Sequence, residues 1–134
     1  MMLLANLHLS QTFNTTALDI YTILTDLRRH SSFTSDIISG TDKEGATLSL
    51  HDGKLIGKTV VLEPAKKIIW SVCWVDENWP QNHPCEIAIV LTDKGNGTCL
   101  VDVFITAIPT AFEAQLKTFW QQNYFDALAY YIDR

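Results

Sequence analysis

Charged residues are scarce in this chain of 134 residues, because only 19% of its positions carry Asp, Glu, Lys or Arg. Basic residues are the rarer kind, since 10 Lys and Arg stand against 15 Asp and Glu and give a net charge of −5. A nucleic-acid-binding protein needs a basic face to displace counterions from phosphates, and attachment to anionic membranes needs one as well. We therefore predict neither a nucleic acid nor a membrane among the partners of this protein.

Cysteine is also rare, and the three cysteines, Cys73, Cys85 and Cys99, follow no spacing typical of a metal site or a disulfide framework. We expect them to be buried thiols in a cytoplasmic protein. The N-terminus has no basic residue ahead of its apolar stretch and no long apolar run. It therefore predicts neither a signal peptide nor a membrane helix.

Motifs of enzyme active sites are missing from the sequence. There is no HExxH pattern, no GxSxG elbow, no GxGxxG turn and no phosphate loop, and the four histidines are scattered. A pair of His51 with Asp52 is unfavourable because neighbours on a strand point to opposite faces, whereas a pair of His83 with Glu86 stays open. We predict no catalytic residue, no metal and no cofactor.

Apolar residues, by contrast, make up 47% of the chain. A chain of this length buries roughly 70% of its unfolded surface, which is enough for one sizeable core. No repeat, charge block or linker divides it. We therefore expect residues 1–134 to form a single domain.

Alternation and turn residues predict an α+β chain. Residues 3–13 alternate as a first strand, Asn14, Thr15 and Thr16 cap a helix that begins at Ala17, and a short second helix or turn is expected at 28–33. Close turns rich in Gly, Asn and Pro then favour an antiparallel meander, because parallel strands need long crossovers. The expected strands are 46–51, 54–62, 67–75, 85–93 and 97–106, and an aromatic-striped helix follows over 111–132. We predict a curved antiparallel sheet of about six strands wrapped around this long C-terminal helix.

Five segments carry a resemblance to a known family. They are DIYTILTDLRRHSSFT, DGKLIGKTVVLEPAKKIIWSVCW, NWPQNHPCEIAIVL, GNGTCLVDVFITAIP and FWQQNYFDALAYYI, in chain order. Together they resemble the motifs of the homologues of the activator of heat-shock-protein-90 ATPase, which belong to the START-like (SRPBCC) superfamily. The resemblance implies the helix-grip fold over nearly the whole chain, and a role in the stress response.

The chain departs from the family pattern at several positions. Gly45-Ala46 replaces a Gly-Gly pair, Ala107 replaces a Gly, Val72 replaces a Trp, and Ile105 stands where a His or Gln is common. Ile105 removes a polar group from the expected interior. The eukaryotic co-chaperone also has a separate N-terminal domain that binds the chaperone, and we expect this chain to lack one. The resemblance therefore transfers the fold further than the activity.

The distribution of aromatic residues indicates where a site would lie. Trp70, Val72 and Trp74 share one face of a strand, and we expect them to face Trp120 and Tyr124 of the long helix. Two interpretations stay open: a solid aromatic core, or the apolar cavity that helix-grip relatives commonly have. The predicted ligand pocket consists of Tyr21, Trp70, Val72, Trp74, Ile87, Ile89, Val101, Val103, Trp120 and Tyr124, with His51, Trp79 and Pro80 at its rim.

Three functions follow from these observations. The first is a non-enzymatic domain that binds a hydrophobic small molecule between the sheet and the C-terminal helix. The second is a protein-interaction module resembling the chaperone ATPase activators, with a chaperone or another protein as its partner and exposed loops such as 76–84, with Trp79, as its contact. The third is an enzyme of the cyclase or hydrolase kind, which the shortage of polar groups disfavours.

Overall fold

A six-stranded antiparallel sheet forms the centre of the protein in a computed structural model that describes residues 2–134. The order across the sheet is β1-β6-β5-β4-β3-β2, so the first and last strands are neighbours and β1 and β2 form the two edges. The strands are β1 Leu4–Phe13, β2 Thr47–Leu50, β3 Leu55–Glu63, β4 Lys67–Trp74, β5 Cys85–Gly95 and β6 Thr98–Pro109. The predicted meander of β2 to β6 and the α+β class are thereby confirmed.

Two short helices connect β1 to β2. Helix α1 spans Ala17–Thr25, and the hydroxyl of Thr16 accepts a hydrogen bond from the Asp19 N–H at 3.1 Å, as the predicted cap requires. Helix α2 spans Leu27–Thr34. Asp26 caps its N-terminus, because the Asp26 carboxylate accepts a hydrogen bond from the Arg29 N–H. The second helix was expected from the sequence, although its polar composition gave no indication that it reaches the core.

The C-terminal helix consists of three consecutive segments. Helix α3 spans Glu113–Phe119, a π-helical segment spans Trp120–Asp126, and helix α4 spans Ala127–Asp133. A π-helix places its hydrogen bonds five residues apart, occurs rarely, and is frequent at functional sites. The expected helix over 111–132 is therefore confirmed in extent, but its uniform α-helical character is not.

The inner face of the sheet carries the apolar residues that alternation assigned to it. Registered cross-strand pairs such as Trp70 with Ile87, and Ile87 with Ile105, lie on this face and are fully buried. Glu86 and Asp102 lie on the opposite, outer face. Ser71 also lies there, opposite Lys58 and Glu86, and so does not reach the interior. The sheet and the C-terminal helix thus bury a common core.

Two alanines occupy backbone positions that favour glycine. Ala107 has φ of +63° at an irregularity where β1 and β6 change register, and Ala65 has φ of +61° in the Glu63–Lys66 turn. The family pattern has a Gly at the first of these positions. Left-handed backbone costs a residue with a Cβ about 1–2 kcal/mol.

We therefore expect Ala107→Gly and Ala65→Gly each to raise the free energy of unfolding by about 0.5–1 kcal/mol, because the strain removed exceeds the added flexibility of the unfolded chain. Urea denaturation measures the change. Ala88→Gly, in the middle of β5, is the matched control and should lower stability instead. A loss of stability in all three variants would show that the positive φ of Ala107 and Ala65 does not destabilise the folded protein.

Two of the three cysteines have the expected burial. Within residues 2–134 all three are free thiols, Cys85 and Cys99 are buried, and Cys73 is half-buried. Burial raises the pKa of the Cys85 thiol to about 12, so this side chain is not a thiolate at neutral pH. No helix of the described residues has the length and apolar character that a membrane span requires.

Candidate functional site

An aromatic cluster joins the sheet to the C-terminal helix. Trp120 stacks on Tyr124, with ring centroids 4.2 Å apart and ring planes 6° from parallel. Trp70 of β4 meets both rings at 6.2–6.3 Å, and Phe119 meets Trp74 edge-on at 5.5 Å. The predicted meeting of Trp70 and Trp74 with the C-terminal helix is therefore present.

The interior around this cluster is filled by side chains. Of the predicted pocket residues, nine are buried, namely Trp70, Val72, Trp74, Ile87, Ile89, Val101, Val103, Trp120 and Tyr124. Tyr21 packs at the margin, where burial and the charge of Glu44 raise the pKa of its hydroxyl. No open pocket lies among residues 2–134. Binding of a small molecule there would require these side chains to move.

A hydrogen-bonded histidine lies inside the core. The Nδ1–H of His30 donates to the Leu24 carbonyl at 2.9 Å, so its Nε2 is the acceptor for the Tyr124 hydroxyl at 2.7 Å. Both side chains are buried. Burial lowers the pKa of His30 to about 4 and, with a smaller contribution from the charge of Asp36, raises the pKa of Tyr124 well above its usual value. The pair is therefore neutral at physiological pH.

Two buried indole N–H groups lack an acceptor. They belong to Trp70 and Trp120, on opposite sides of the interface between sheet and helix. A buried donor without a partner costs free energy, and most native structures avoid it. Within residues 2–134 these are the buried side-chain groups that a ligand with a hydrogen-bond acceptor would satisfy.

A strained turn lies at the end of β2. His51, Asp52 and Gly53 all have positive φ, at +54°, +55° and +83°, although only the third is glycine. The Asp52 carboxylate accepts from the Ile37 N–H at 2.7 Å, which is the main reason that its pKa is lowered. Strained backbone persists where the surrounding contacts hold it, and it is common at functional sites.

His51 forms a pair with a carboxylate distant in sequence. Its Nδ1–H donates to Asp36 Oδ2 at 2.9 Å, and its ring packs on Phe119 at 4.7 Å. The Asn123 amide of the π-helical segment lies 3.5 Å from the same nitrogen. His51 therefore lies beside the aromatic cluster, and its carboxylate partner is Asp36.

The loop at 76–84 differs from the sequence interpretation. Trp79 is buried, packs on Phe112 at 5.0 Å, and donates its indole N–H to the His83 carbonyl. It is therefore not the exposed contact expected of this loop. The Nε2–H of His83 donates to the Ala107 carbonyl, and Pro80 next to Trp79 is half-buried. The loop is fixed against the start of the C-terminal helix.

Sequence reasoning missed three residues of this region: His30, Asp36 and Asn123. His30 lies in a helix whose other residues are mostly polar, so no hydrophobic pattern marked it as buried. Asp36 meets a histidine 15 positions away, and Asn123 meets it across 72 positions. The family resemblance indicated none of them. Only the three-dimensional arrangement brings these side chains together.

The architecture defines the class of protein. A curved antiparallel sheet that holds a C-terminal helix against its inner face is the helix-grip arrangement of START-like proteins. A solved structure from Plasmodium falciparum, described as an HSP90 activator, superposes with a TM-score of 0.80 at 14% identity, covering 90% of this chain and 91% of that one. This likeness shows the fold.

The chain belongs to the family described as "Activator of Hsp90 ATPase homolog 1-like protein", whose model matches residues 14–133. It is similar to a Dictyostelium discoideum protein named activator of 90 kDa heat shock protein ATPase homolog, at 24% identity over 91% of this chain and 31% of that protein. It is likewise similar to homolog 2 of that activator from Mus musculus, at 26% identity over 91% of this chain and 36% of that protein. It thus spans about a third of the curated relatives that it matches.

Proposed function

We propose that this domain acts by binding a protein, with the cognate 90 kDa heat shock protein as the first candidate. The names of the relatives support this partner, including that of the Plasmodium falciparum protein, of which 91% is covered. The filled interior supports a function carried by the surface rather than by a cavity. An effect on ATP turnover by the partner is part of the proposal.

The observation that carries the proposal is the exposure of two apolar residues whose backbone N–H groups are hydrogen-bonded to the strained turn and to the residue after it. Ile37 is 77% exposed and Val75 is 55% exposed. The Ile37 N–H donates to Asp52, and the Val75 N–H donates to the Lys54 carbonyl at 2.7 Å, so the turn holds both residues. Apolar side chains on a fixed backbone lose little conformational entropy when a partner covers them.

The acidic residues near Ile37 and Val75 favour a partner with a basic surface. Asp52 is hydrogen-bonded to Ile37, Asp76 and Glu77 directly follow Val75, and Lys54 is the basic residue that follows the turn. An acidic surround favours approach of a positively charged segment and accelerates association. We therefore propose that the partner contributes apolar side chains flanked by Lys or Arg.

The test uses the purified domain with the cognate chaperone. Calorimetric titration and ATP turnover should both respond to the wild type, and Ile37→Ser with Val75→Ser, which removes the apolar side chains without changing the charge, should weaken binding at least about tenfold, a loss of about 1.4 kcal/mol. Leu18→Ser is the matched control, because Leu18 is an apolar residue of α1 that is 58% exposed, and its replacement should leave binding unchanged. Unaltered ATP turnover with the wild type, or equal binding by the double variant, would contradict the proposal.

A second candidate function is favoured by the unpaired indoles of Trp70 and Trp120. In this proposal an apolar molecule with a carbonyl or similar acceptor enters between the sheet and the π-helical segment and accepts from both groups. The experiment is titration with an environment-sensitive apolar dye while tryptophan fluorescence is recorded. Saturable binding near one molecule per chain supports it, and non-saturable or absent binding contradicts it.

A further inference from the structure

Strand β1 leaves one edge of the sheet open. Within residues 2–134 this strand of ten residues pairs with β6 alone. The other edge is shorter and partly closed, because Ser39 exchanges two hydrogen bonds of 3.0 Å with Ser49 of β2. An open edge exposes unpaired N–H and C=O groups that a further strand can bind. The edge that remains available to a further strand is therefore that of β1.

The direction of the free groups follows from the pairing. The Leu3 carbonyl accepts from the Thr110 N–H, so odd-numbered residues direct their backbone groups toward β6. Pro109, which has no N–H, lies opposite the even-numbered Leu4 and agrees with this alternation. The even-numbered residues, which point their N–H and C=O away from the sheet and are all exposed, are Leu4, Asn6, His8, Ser10 and Thr12.

β1 lacks the features by which proteins protect such an edge. It has no Lys, Arg, Asp, Glu or Pro, and its regular backbone carries no inserted residue, since the extra residue at the register change with β6 belongs to β6. The residues at its start are apolar and open: Leu3 is 66% exposed and Leu4 is 49% exposed. Charges, prolines and bulges are the usual means of preventing edge-to-edge association. Their absence favours pairing.

We propose that β1 pairs antiparallel with β1 of a second copy of this chain, and that the two sheets join into one. Each chain carries a net charge of −5, so two copies repel each other over most of their surfaces. The uncharged β1 is a place where identical chains can approach without bringing acidic side chains of the paired strands together. Closed association of identical chains about a two-fold axis also needs a self-complementary surface.

The strand is self-complementary in the register that overlaps it most. That register places His8 opposite His8 of the second copy, and Leu7 opposite Leu9. Leu7 and Leu9 lie on the inner face and are only partly buried in the single chain. Pairing would therefore cover apolar surface on the inner side, while Asn6 would meet Ser10 on the outer side. The inner face therefore stays apolar and the outer face stays polar across the junction of the two sheets.

Joining two edges buries little area, so the association should be weak, with a dissociation constant on the order of 10–100 μM. Sedimentation velocity of the full chain over about 5–500 μM should show a reversible dimer of the wild type. Ser10→Pro removes an outward N–H that does not serve the pairing with β6. Asp102 Oδ1 lies 2.9 Å from His8 Nε2, so His8→Lys is made together with Asp102→Asn and then brings two unpaired positive charges together at the axis. Each variant should weaken the dimer at least about tenfold.

A mixing experiment separates loss of the interface from loss of the fold. In the Asp102→Asn background, which removes the carboxylate that bonds to His8, His8→Lys and His8→Glu should each be largely monomeric, whereas their equimolar mixture should dimerise, because opposite charges then meet at the axis. Circular dichroism of each variant checks that the fold persists. A wild type that stays monomeric throughout the range would overturn the proposal. So would a dimer that His8→Lys and Ser10→Pro leave unchanged, since that dimer would use another surface.

Discussion

Acidification from pH 7 to pH 4 should reduce the free energy of unfolding by about 3 kcal/mol through His30 alone. Burial lowers the pKa of His30 in the folded protein to about 4, whereas its ordinary value is 6.5. Above pH 6.5 the imidazole is neutral in both states and has no effect. As the pH falls from 6.5 to 4, the unfolded chain takes up a proton that the folded chain refuses, so acid favours unfolding.

Urea denaturation of the wild type and of His30→Gln at several pH values isolates this contribution from that of the carboxylates. The variant should be less stable at pH 7, because the hydrogen bonds to Leu24 and Tyr124 are altered, but its stability should fall less steeply below pH 6.5. Leu18→Gln is the control, since Leu18 is 58% exposed and the change neither adds nor removes a titratable group, and it should keep the wild-type slope. Equal slopes for wild type and His30→Gln would show that His30 is not the responsible group.

Trp70→Ala should lower the free energy of unfolding by about 3–5 kcal/mol, the largest effect of a single substitution that we expect. The indole is fully buried and contacts His30, Trp120 and Tyr124, so its removal leaves a cavity that these rigid rings cannot refill. Urea denaturation measures the loss. Tyr130→Ala, at a side chain that is 75% exposed, should change stability by less than about 0.5 kcal/mol.

Added indole provides a second measurement on the same variant. A dry apolar cavity binds small aromatic molecules, and a ligand that binds only the folded state raises its stability. We expect indole to shift the unfolding midpoint of Trp70→Ala upward and to leave the wild type unchanged, because the wild-type interior is already filled. An equal shift in both proteins would contradict the filled interior.

Much of the sheet was predictable because its signals are local. Alternation placed Trp70 and Trp74 on the inner face, and the turn residues Asp52-Gly53 and Pro64 separated the strands at nearly the observed positions. Each end of an observed strand lies within three residues of its expected position. Each of these signals acts within a few residues, so one sequence suffices to read it.

The candidate site was less predictable because its contacts are distant in sequence. The partner of His51 is Asp36 rather than Asp52, since the left-handed turn redirects the imidazole toward the segment after α2. Trp79 is buried because Phe112, from the start of the C-terminal helix, packs on it. Whether a residue is paired or buried in these cases depends on the assembled fold, which alternation and spacing do not encode.

The π-helical segment Trp120–Asp126 has a consequence for the length of the C-terminal helix. Its hydrogen bonds enclose one residue more than those of an α-helix, so the chain carries an insertion there that a regular helix would not need. Each residue of an α-helix advances the side-chain direction by about 100°. Because a π-helical turn takes up its extra residue by rotating less per residue, deleting one residue of the segment would restore a regular helix and leave Leu128 and Tyr131 facing nearly as before. The extra residue is therefore added without changing which side chains after it meet the core.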